Sequence, residues 1–487
     1  MSRHPPKLHD PARSEAERGR LLREARVPIA VYGLGKIGLP LASVLADETG
    51  NVVGADIDEA VVETVNEGEV PDRVREPGLP ELLSRTVGYG ELRATTDLRT
   101  TAREAAVHVV VVPTRLSADG TADLDAVEAV VSEVASGLTP GDLVCIESTL
   151  PPGATEDAVL PTLVAESGLE PDEFGVAFCP ERTSSGRAIE DIRGAYPKVV
   201  GGVDEESTRA ATVLYEAINS AGVIPVSDAT TAESVKLFEG VYRDVNIALA
   251  NELARFTDAL GADVLDAIEA ANTQPYCDIH QPGAGVGGHC IPYYPRFLVN
   301  AIDASAPLIR TARRVNDSMP TFMVDQLEDR LRAADRPLAT TTVLVCGVTY
   351  RPGVVETAET PAAPTIEELE ARGADVLVVD PMLDDEATAQ FGGTPVTLAD
   401  LPDCEVDAAV VVTDHAEFEA CDWDAVGGDD PMTVVDGRGV EALADSRHAV
   451  YRVGRGRTGR GSVAAPADDR RPADGSAAEL TNEGDSR

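Results

Sequence analysis

Lysine is nearly missing from this sequence. Lys7, Lys36, Lys198 and Lys236 are the four among 487 residues, and arginine supplies the rest of the 41 basic side chains. Against them stand 84 acidic residues, for a formal net charge of −43. That excess repels nucleic-acid phosphates and anionic membrane surfaces, so no nucleic acid and no membrane is expected as a partner. A carboxylate surface purged of lysine fits a halophilic protein, because at 1 M salt screening acts over about 3 Å and self-repulsion fades. A lysine retained in such a chain gains weight as a site candidate.

Cysteine is sparse too. The seven cysteines stand singly with no C-x-x-C pair, which excludes a disulfide framework. Aromatic residues make up only 4% of the chain, which fits a soluble α/β protein built from Ala, Val and Leu. No apolar run approaches the roughly 20 residues a bilayer requires. The opening "MSRHPPKLHDPARSEAERGR" lacks the apolar centre of a secretory signal, and a cytoplasmic location is expected.

What is present is an alternation of β-branched runs and helical patterns. "PIAVYGLG", "NVVGADID", "AVHVVVVPT" and "DLVCIEST" read as buried parallel strands joined by crossover helices. Strands return in "TTVLVCGVTY", "ADVLVVDP", "VDAAVVVTDH" and "MTVVDGRG". The segment between them holds a long amphipathic pattern, "TTAESVKLFEGVYRDVNIALANELARFTDALG", closed by Gly261. The expected fold class is α/β, with two Rossmann-like doubly wound parallel sheets joined by a helical central domain with a long helix. The expected boundaries are 1–26 for a flexible extension, 27–203 for a nucleotide-binding domain, 204–325 for the helical domain, 326–453 for the second α/β domain and 454–487 for a disordered tail.

Gly33, Gly35 and Gly38 form G-x-G-x-x-G between a strand and an apolar helix. Such a turn brings backbone, here with Lys36 and Ile37 inside it, against a pyrophosphate at a helix N-terminus. Asp56 ends the next strand, eighteen positions past Gly38, where a carboxylate binds the ribose 2′-hydroxyl and repels the extra phosphate of NADP. NAD is therefore the expected cofactor. Pro113 and Thr114, with Ser148 and Thr149, end further strands at the same carboxyl edge, where ligands of such folds bind.

"GAGVGGHCIPYYP" puts Cys290 behind four glycines and a histidine. A metal reading would add Cys277, His280 and His289, without paired zinc spacings, and no metal is expected. A buried structural thiol is the usual role of a single cysteine, yet glycine loops serve to bring backbone against a ligand. Covalent catalysis by Cys290 is the favoured reading.

"GLGKIGLP", "ESTLPPG", "CPERTSSGRAIED", "AESVKLFEGVYRDVNIALANE", "GAGVGGHCIP" and "GVTYRPGV…ETP" together resemble, in order, the UDP-glucose/GDP-mannose dehydrogenase family. "PER" and "GVGGHCIP" are most similar to its UDP-N-acetyl-D-mannosamine dehydrogenase branch. The resemblance implies an NAD-dependent, metal-free oxidation of a sugar C6 alcohol to a carboxylate in two steps, feeding surface polysaccharide or glycoprotein glycan synthesis. UDP-glucose, UDP-N-acetylglucosamine or a GDP-sugar as substrate, or a catalytically silent binding protein, are the alternatives.

The same resemblance implies catalytic roles for Cys290, Lys236 and Glu181, and a homodimer through the central helix. It implies UDP-sugar contacts from Arg182, Arg243, Asn246, His280, Gly285, Gly287, His289, Arg314, Tyr350 and Arg351, with Arg313 and Asn316 beside them. Arginine suits a diphosphate because its fork bonds two oxygens at once. Three positions depart from the family pattern: Gly240 stands for its asparagine, Tyr294 for its aspartate and Ala358 for its arginine. In the family the first two help activate water or hold an oxyanion.

Overall fold

The computed structural model describes residues 5–184 and 186–458. The first sheet contains β1 (Ile29–Tyr32), β2 (Val52–Ala55), β3 (Leu92–Thr95), β4 (Val107–Val110), β5 (Leu143–Ile146), β6 (Gly175–Phe178), β7 (Lys198–Gly202) and β8 (Val223–Pro225). Across the sheet they run β8-β7-β6-β5-β4-β1-β2-β3. Pairing is parallel from β3 to β6 and antiparallel between β6 and β7. All four residues of β1, β2, β4 and β5 are buried, which is why these strands read as unbroken apolar runs: helices cover both faces. Order reverses between β1 and β4, and that reversal opens a ligand crevice at the strands' carboxyl ends. β8 lies beyond residue 203, the limit expected for the first domain.

The second sheet repeats the plan with β9 (Thr342–Cys346), β10 (Asp375–Val379), β11 (Thr394–Pro395), β12 (Ala408–Val411), β13 (Thr433–Asp436), β14 (Ala449–Arg452) and β15 (Gly456–Thr458). Its order is β11-β10-β9-β12-β13-β14-β15, with only the β14–β15 pair antiparallel. The helix Met319–Ala333 buries Met323, Val324, Leu327 and Leu331 in the same core, so it packs as one piece across the expected break at 325.

Between the sheets runs the helix Ala229–Ala254, about 39 Å long at 1.5 Å per residue. Asp228 caps it, its carboxylate accepting from Thr231 N at 2.6 Å. Gly261 closes the following short turn in the left-handed region, φ 61°. The long helix is tied to the helix Pro307–Asp317 by a buried polar network. Asp244 pairs with Arg313, and Asn316 donates to Asp244 Oδ1 at 2.8 Å and accepts from Asn251 at 2.8 Å.

Two expectations are corrected here. The N-terminal extension is folded from residue 5: Ser14 caps a helix over Glu15–Arg23, and Leu8, Leu21 and Leu22 enter the first core. Fully buried Arg18 pairs with Glu206, and Lys7 pairs with Asp142. Three leucines spread over fifteen positions gave no helical period, and the anchoring charges read as solvent-facing. In the tail, residues 456–458 form β15; positions 459–487 lie outside the described residues.

Candidate functional site

The glycine turn leaves β1 toward the helix Gly38–Thr49. Gly33 sits at φ 96°, and a Cβ there or at Gly38 would collide with backbone oxygens of Val111 and Gly33. Gly35 has nothing within 4 Å of its Cβ position, so that side of the turn is open to a ligand. Asp56 braces the turn by accepting from Leu34 N at 2.7 Å. Ser148 accepts from Val112 N at 2.9 Å, and Thr114 presents a buried hydroxyl with no partner among the described residues. An open glycine turn, an acid beside it and an orphaned hydroxyl at the next strand end suit a dinucleotide. Lys36 extends from the turn to Glu356 of the second α/β unit, and Ile37 lines a pocket it shares with Glu181.

Cys290 opens the helix Cys290–Ala301 and is exposed, with His289 before it. Its neighbour one turn on is Tyr294, whose ring lies against Gly240 of the long helix. Lys236 Nζ stands 5.9 Å from the centre of that ring and 3.4 Å from Glu181 Oε2. Burial pushes the Glu181 carboxyl up, but the Lys236 ammonium and hydrogen bonds from Thr183 outweigh it, holding the group below its ordinary value. Glu181 is thus an ionised, nearly buried carboxylate at neutral pH. Burial, with the Cys290 thiol and Glu181 nearby, drives the Tyr294 phenol well above its ordinary value. Cys290, Lys236 and Glu181 therefore converge on one tyrosine ring.

Tyr350 closes the thiol loop from the second unit. A Cβ at Gly287 would stand 2.6 Å from Tyr350 Cβ and one at Gly288 3.0 Å from its ring, and the Tyr350 hydroxyl donates to Glu356 at 3.0 Å. Burial raises the Tyr350 phenol to about 12. A cleft of about 450 Å³ runs between the helical segment and the second α/β unit, bordered by Gly285, Arg296, Asn316, Glu359 and Thr360.

Among the expected sugar-nucleotide contacts, Arg243 and Arg351 make no hydrogen bond or ion pair among the described residues, which leaves both guanidinium groups free for an anion. Arg182 is engaged, by Glu239 at 2.9 Å and the face of Tyr196 at 5.0 Å. Asn246 ties down the loop before the thiol, donating to Asp278 O at 3.0 Å and accepting from His280 N at 3.3 Å. Arg314 is exposed on a helix, bonded to Thr311, and Arg313 and Asn316 belong to the buried network rather than to an open surface. Cys277 bonds Asn272 at 3.5 Å, and no metal-holding cluster of His, Cys, Asp and Glu occurs among the described residues.

Three models of one family match in sequence along the chain: the NAD binding domain of the UDP-glucose/GDP-mannose dehydrogenase family over residues 27–219, its central domain over 230–318 and its UDP binding domain over 344–442. The chain belongs to that family. An NDP-N-acetyl-D-galactosaminuronic acid dehydrogenase of Ralstonia nicotianae is 37% identical over 422 residues, 85% of this chain and 96% of that protein. A UDP-N-acetyl-D-mannosamine dehydrogenase of Pyrococcus horikoshii is 37% identical over 415 residues, 85% of this chain and 95% of that one. The solved structure of a UDP-N-acetylmannosamine dehydrogenase from the same organism superposes with a TM-score of 0.80 at 34% identity, covering 88% of this chain and all of its own. This chain is an NAD-dependent nucleotide-sugar dehydrogenase.

Within the family frame, sequence reasoning passed over Arg438. It follows β13, is half-buried, donates to Val412 O at 2.8 Å and reaches Gly285 O at 3.4 Å, and its guanidinium lies 2.7 Å from a Cβ position at Gly283. It fastens the thiol loop to the second unit. An arginine between two glycines at a strand's carboxyl end, in "DGRG", was the available signal. Thr183, which holds Glu181 by its hydroxyl at 2.6 Å, was also missed.

Proposed function

We propose that this dehydrogenase oxidises C6 of UDP-N-acetyl-D-mannosamine from alcohol to carboxylate through covalent attachment to Cys290. The observation that carries the reading is an exposed thiol at a helix start, with a buried lysine–glutamate pair meeting it across one ring. Bound NAD+ supplies the hydride acceptor for each of the two oxidations. Lys236 holds the C6 oxygen as its proton leaves. The thiolate of Cys290 then bonds the aldehyde carbon, giving a thiohemiacetal. Loss of the second hydride leaves a thioester, and water activated at ionised Glu181 releases the acid and restores the thiolate. The balance is one alcohol, two NAD+ and one water to one carboxylate, two NADH and three protons.

Arg243 and Arg351, whose side chains are unpaired among the described residues, favour an anionic diphosphate ligand. An apolar stripe on the long helix, Phe238, Tyr242 and Leu249, continued just past its end by Phe256, is 43–58% exposed and fits burial against a second copy. We place the enzyme in the cytoplasm of a salt-accumulating organism, in surface polysaccharide or glycoprotein glycan synthesis. The test is turnover of a panel of sugar nucleotides in graded KCl, with NADH counted per sugar consumed. Two NADH per sugar, fastest with UDP-N-acetyl-D-mannosamine and no acid from Cys290→Ala, is the expected result. One NADH per sugar, or acid formation by the alanine variant, overturns it.

A further inference from the structure

Two departures from the family pattern meet face to face. Gly240 follows Lys236 by one helical turn and Tyr294 follows Cys290 by one turn, so each shares a helix face with a proposed catalytic residue. A Cβ at Gly240 would overlap Tyr294 Cδ2 and stand 2.9 Å from its Cβ and 3.0 Å from its Cγ. The volume lost from the long helix is taken up by the ring gained on the thiol helix. Independent losses would have left a void or a clash; a fitted pair points to retained chemistry in a different form.

The ring is held at the chemical centre. Lys236 Nζ lies 5.9 Å from its centroid, and the hydroxyl has the Cys290 thiol, the Glu181 carboxylate and the Thr149 hydroxyl as its electrostatic neighbours. Because burial, the Cys290 thiol and the Glu181 carboxylate hold the phenol well above its ordinary value against the opposing Thr149 contact, it stays protonated at physiological pH and acts as a donor, not a base.

We propose that Tyr294, seated in the hollow that Gly240 leaves, is a catalytic hydrogen-bond donor to the oxyanion formed when substrate C6 is bonded to Cys290. This rests on the covalent reading above and deepens it. As the sulfur–carbon bond forms, the aldehyde's π pair moves onto oxygen, and the phenol O–H bonds that oxygen. In hydrolysis water adds to the thioester carbon and gives a proton to Glu181. The π pair returns to the same oxygen, and the anion collapses as the carbon–sulfur bond breaks with its electron pair left on Sγ. Tyr294 serves both additions without giving up its proton, and the first hydride transfer does not need it.

Tyr294→Phe keeps the ring and removes the donor. Its kcat should fall about 100-fold with KM changed less than about threefold, in line with loss of one oxyanion donor. Rapid mixing should show a fast burst of NADH from the intact first oxidation, followed by slow turnover. Gly240→Ala should displace the ring and lower kcat with Tyr294 present, and Gly240→Ala/Tyr294→Phe should be no slower than the slower single variant. A Tyr294→Phe enzyme with wild-type kcat, or one whose first hydride transfer slows as much as turnover, overturns the proposal; so do losses that multiply in the double variant. If wild type yields two NADH per sugar and Tyr294→Phe is unimpaired, only the tyrosine's role falls. If wild type itself does not yield two, the covalent reading falls.

Discussion

Replacing Lys7 by methionine tests whether the N-terminal segment is part of the fold or an appendage. The side chain of Lys7 is 14% exposed and ends on Asp142, whose own side chain is 0% exposed. Nζ also donates to Thr139 Oγ1 at 2.9 Å, while Asp142 accepts from Thr139 N at 2.6 Å and Oγ1 at 2.9 Å, with His108 Nε2 at 3.9 Å. Methionine keeps the aliphatic stem and strands a carboxylate in the core. Removing one partner of a buried pair costs about 3–5 kcal/mol. The two Thr139 donors remain, so the low end, about 3 kcal/mol, is the fitting figure. At about 2–4 °C per kcal/mol for a domain of this size, Tm should drop by about 6–12 °C.

Differential scanning calorimetry near neutral pH reads that drop, and two controls sharpen it. Screening hardly reaches a buried pair, so the loss should persist at about 2 M KCl. Arg93→Met breaks a pair with Glu104 that is more than half exposed on both sides, and should change Tm by no more than about 2 °C. The pH dependence has a fixed sign. Burial pushes the Asp142 carboxyl up, but the His108 and Lys7 contacts outweigh it and hold the folded-state value below 3.8. Its stabilisation is complete above 3.8 and is lost as pH falls through the folded value. The gap between wild type and variant should therefore close only in strong acid. A Tm change under about 2 °C near neutrality, or one erased by KCl, would refute a buried anchoring role.

Asp56→Asn should narrow the preference for NAD+ over NADP+ by about tenfold in kcat/KM, a difference of about 1.4 kcal/mol, because the carboxylate no longer repels a 2′-phosphate; an unchanged ratio would remove Asp56 from the ribose site. Glu181→Gln should lower kcat by about 10²–10⁴. In the wild type the acid limb should lie below pH 4.5, since Glu181 is held ionised to a lower pH than usual and loses its charge only as pH falls through the folded-state value. An acid limb above pH 4.5 assigned to this residue would contradict its buried pairing with Lys236.

Legibility followed the range over which each signal acts. The four central strands of each sheet were readable because burial turns them into Val/Ala/Leu-rich runs, the edge strands were not, and the glycine turn was readable because its chemistry lies within six positions. The thiol loop was legible for the same reason. Arg438 was not, since its contact with Gly285 spans 153 positions and looks locally like turn composition. Arg313 misled in the opposite direction: clustered arginines in "ARRVND" read as an anion site, whereas Asp244, 69 positions away, holds Arg313 in a buried pair. Neither Gly240 nor Tyr294 carried a sign that one filled the space of the other. Complementarity between two helix faces is written in shape, and shape appears only once the helices are packed.

The four lysines show how composition and structure constrain each other. Each stands within reach of a carboxylate: Lys7 of Asp142, Lys36 of Glu356, Lys198 of Glu147 and Lys236 of Glu181. Arginine dominates the remaining cationic positions, many of them surface pairs such as Arg93 with Glu104. Geometry accounts for the division. Three of these lysine side chains are at most 16% exposed, and a compact ammonium on a flexible stem fits a narrow buried slot beside one carboxylate better than a planar fork with five donors to satisfy. At Lys198 the slot is closed by the Tyr215 ring at 4.7 Å, with the Tyr215 hydroxyl donating to Glu147 at 2.5 Å. An arginine there would leave donors unpaired in the core, each costing about 1–3 kcal/mol. On that argument the surface could be cleared of lysine freely, and lysine stayed at these four buried or bridging slots, the proposed catalytic pair among them, while arginine fills wider buried sites such as Arg18 beside Glu206 and Arg313 beside Asp244.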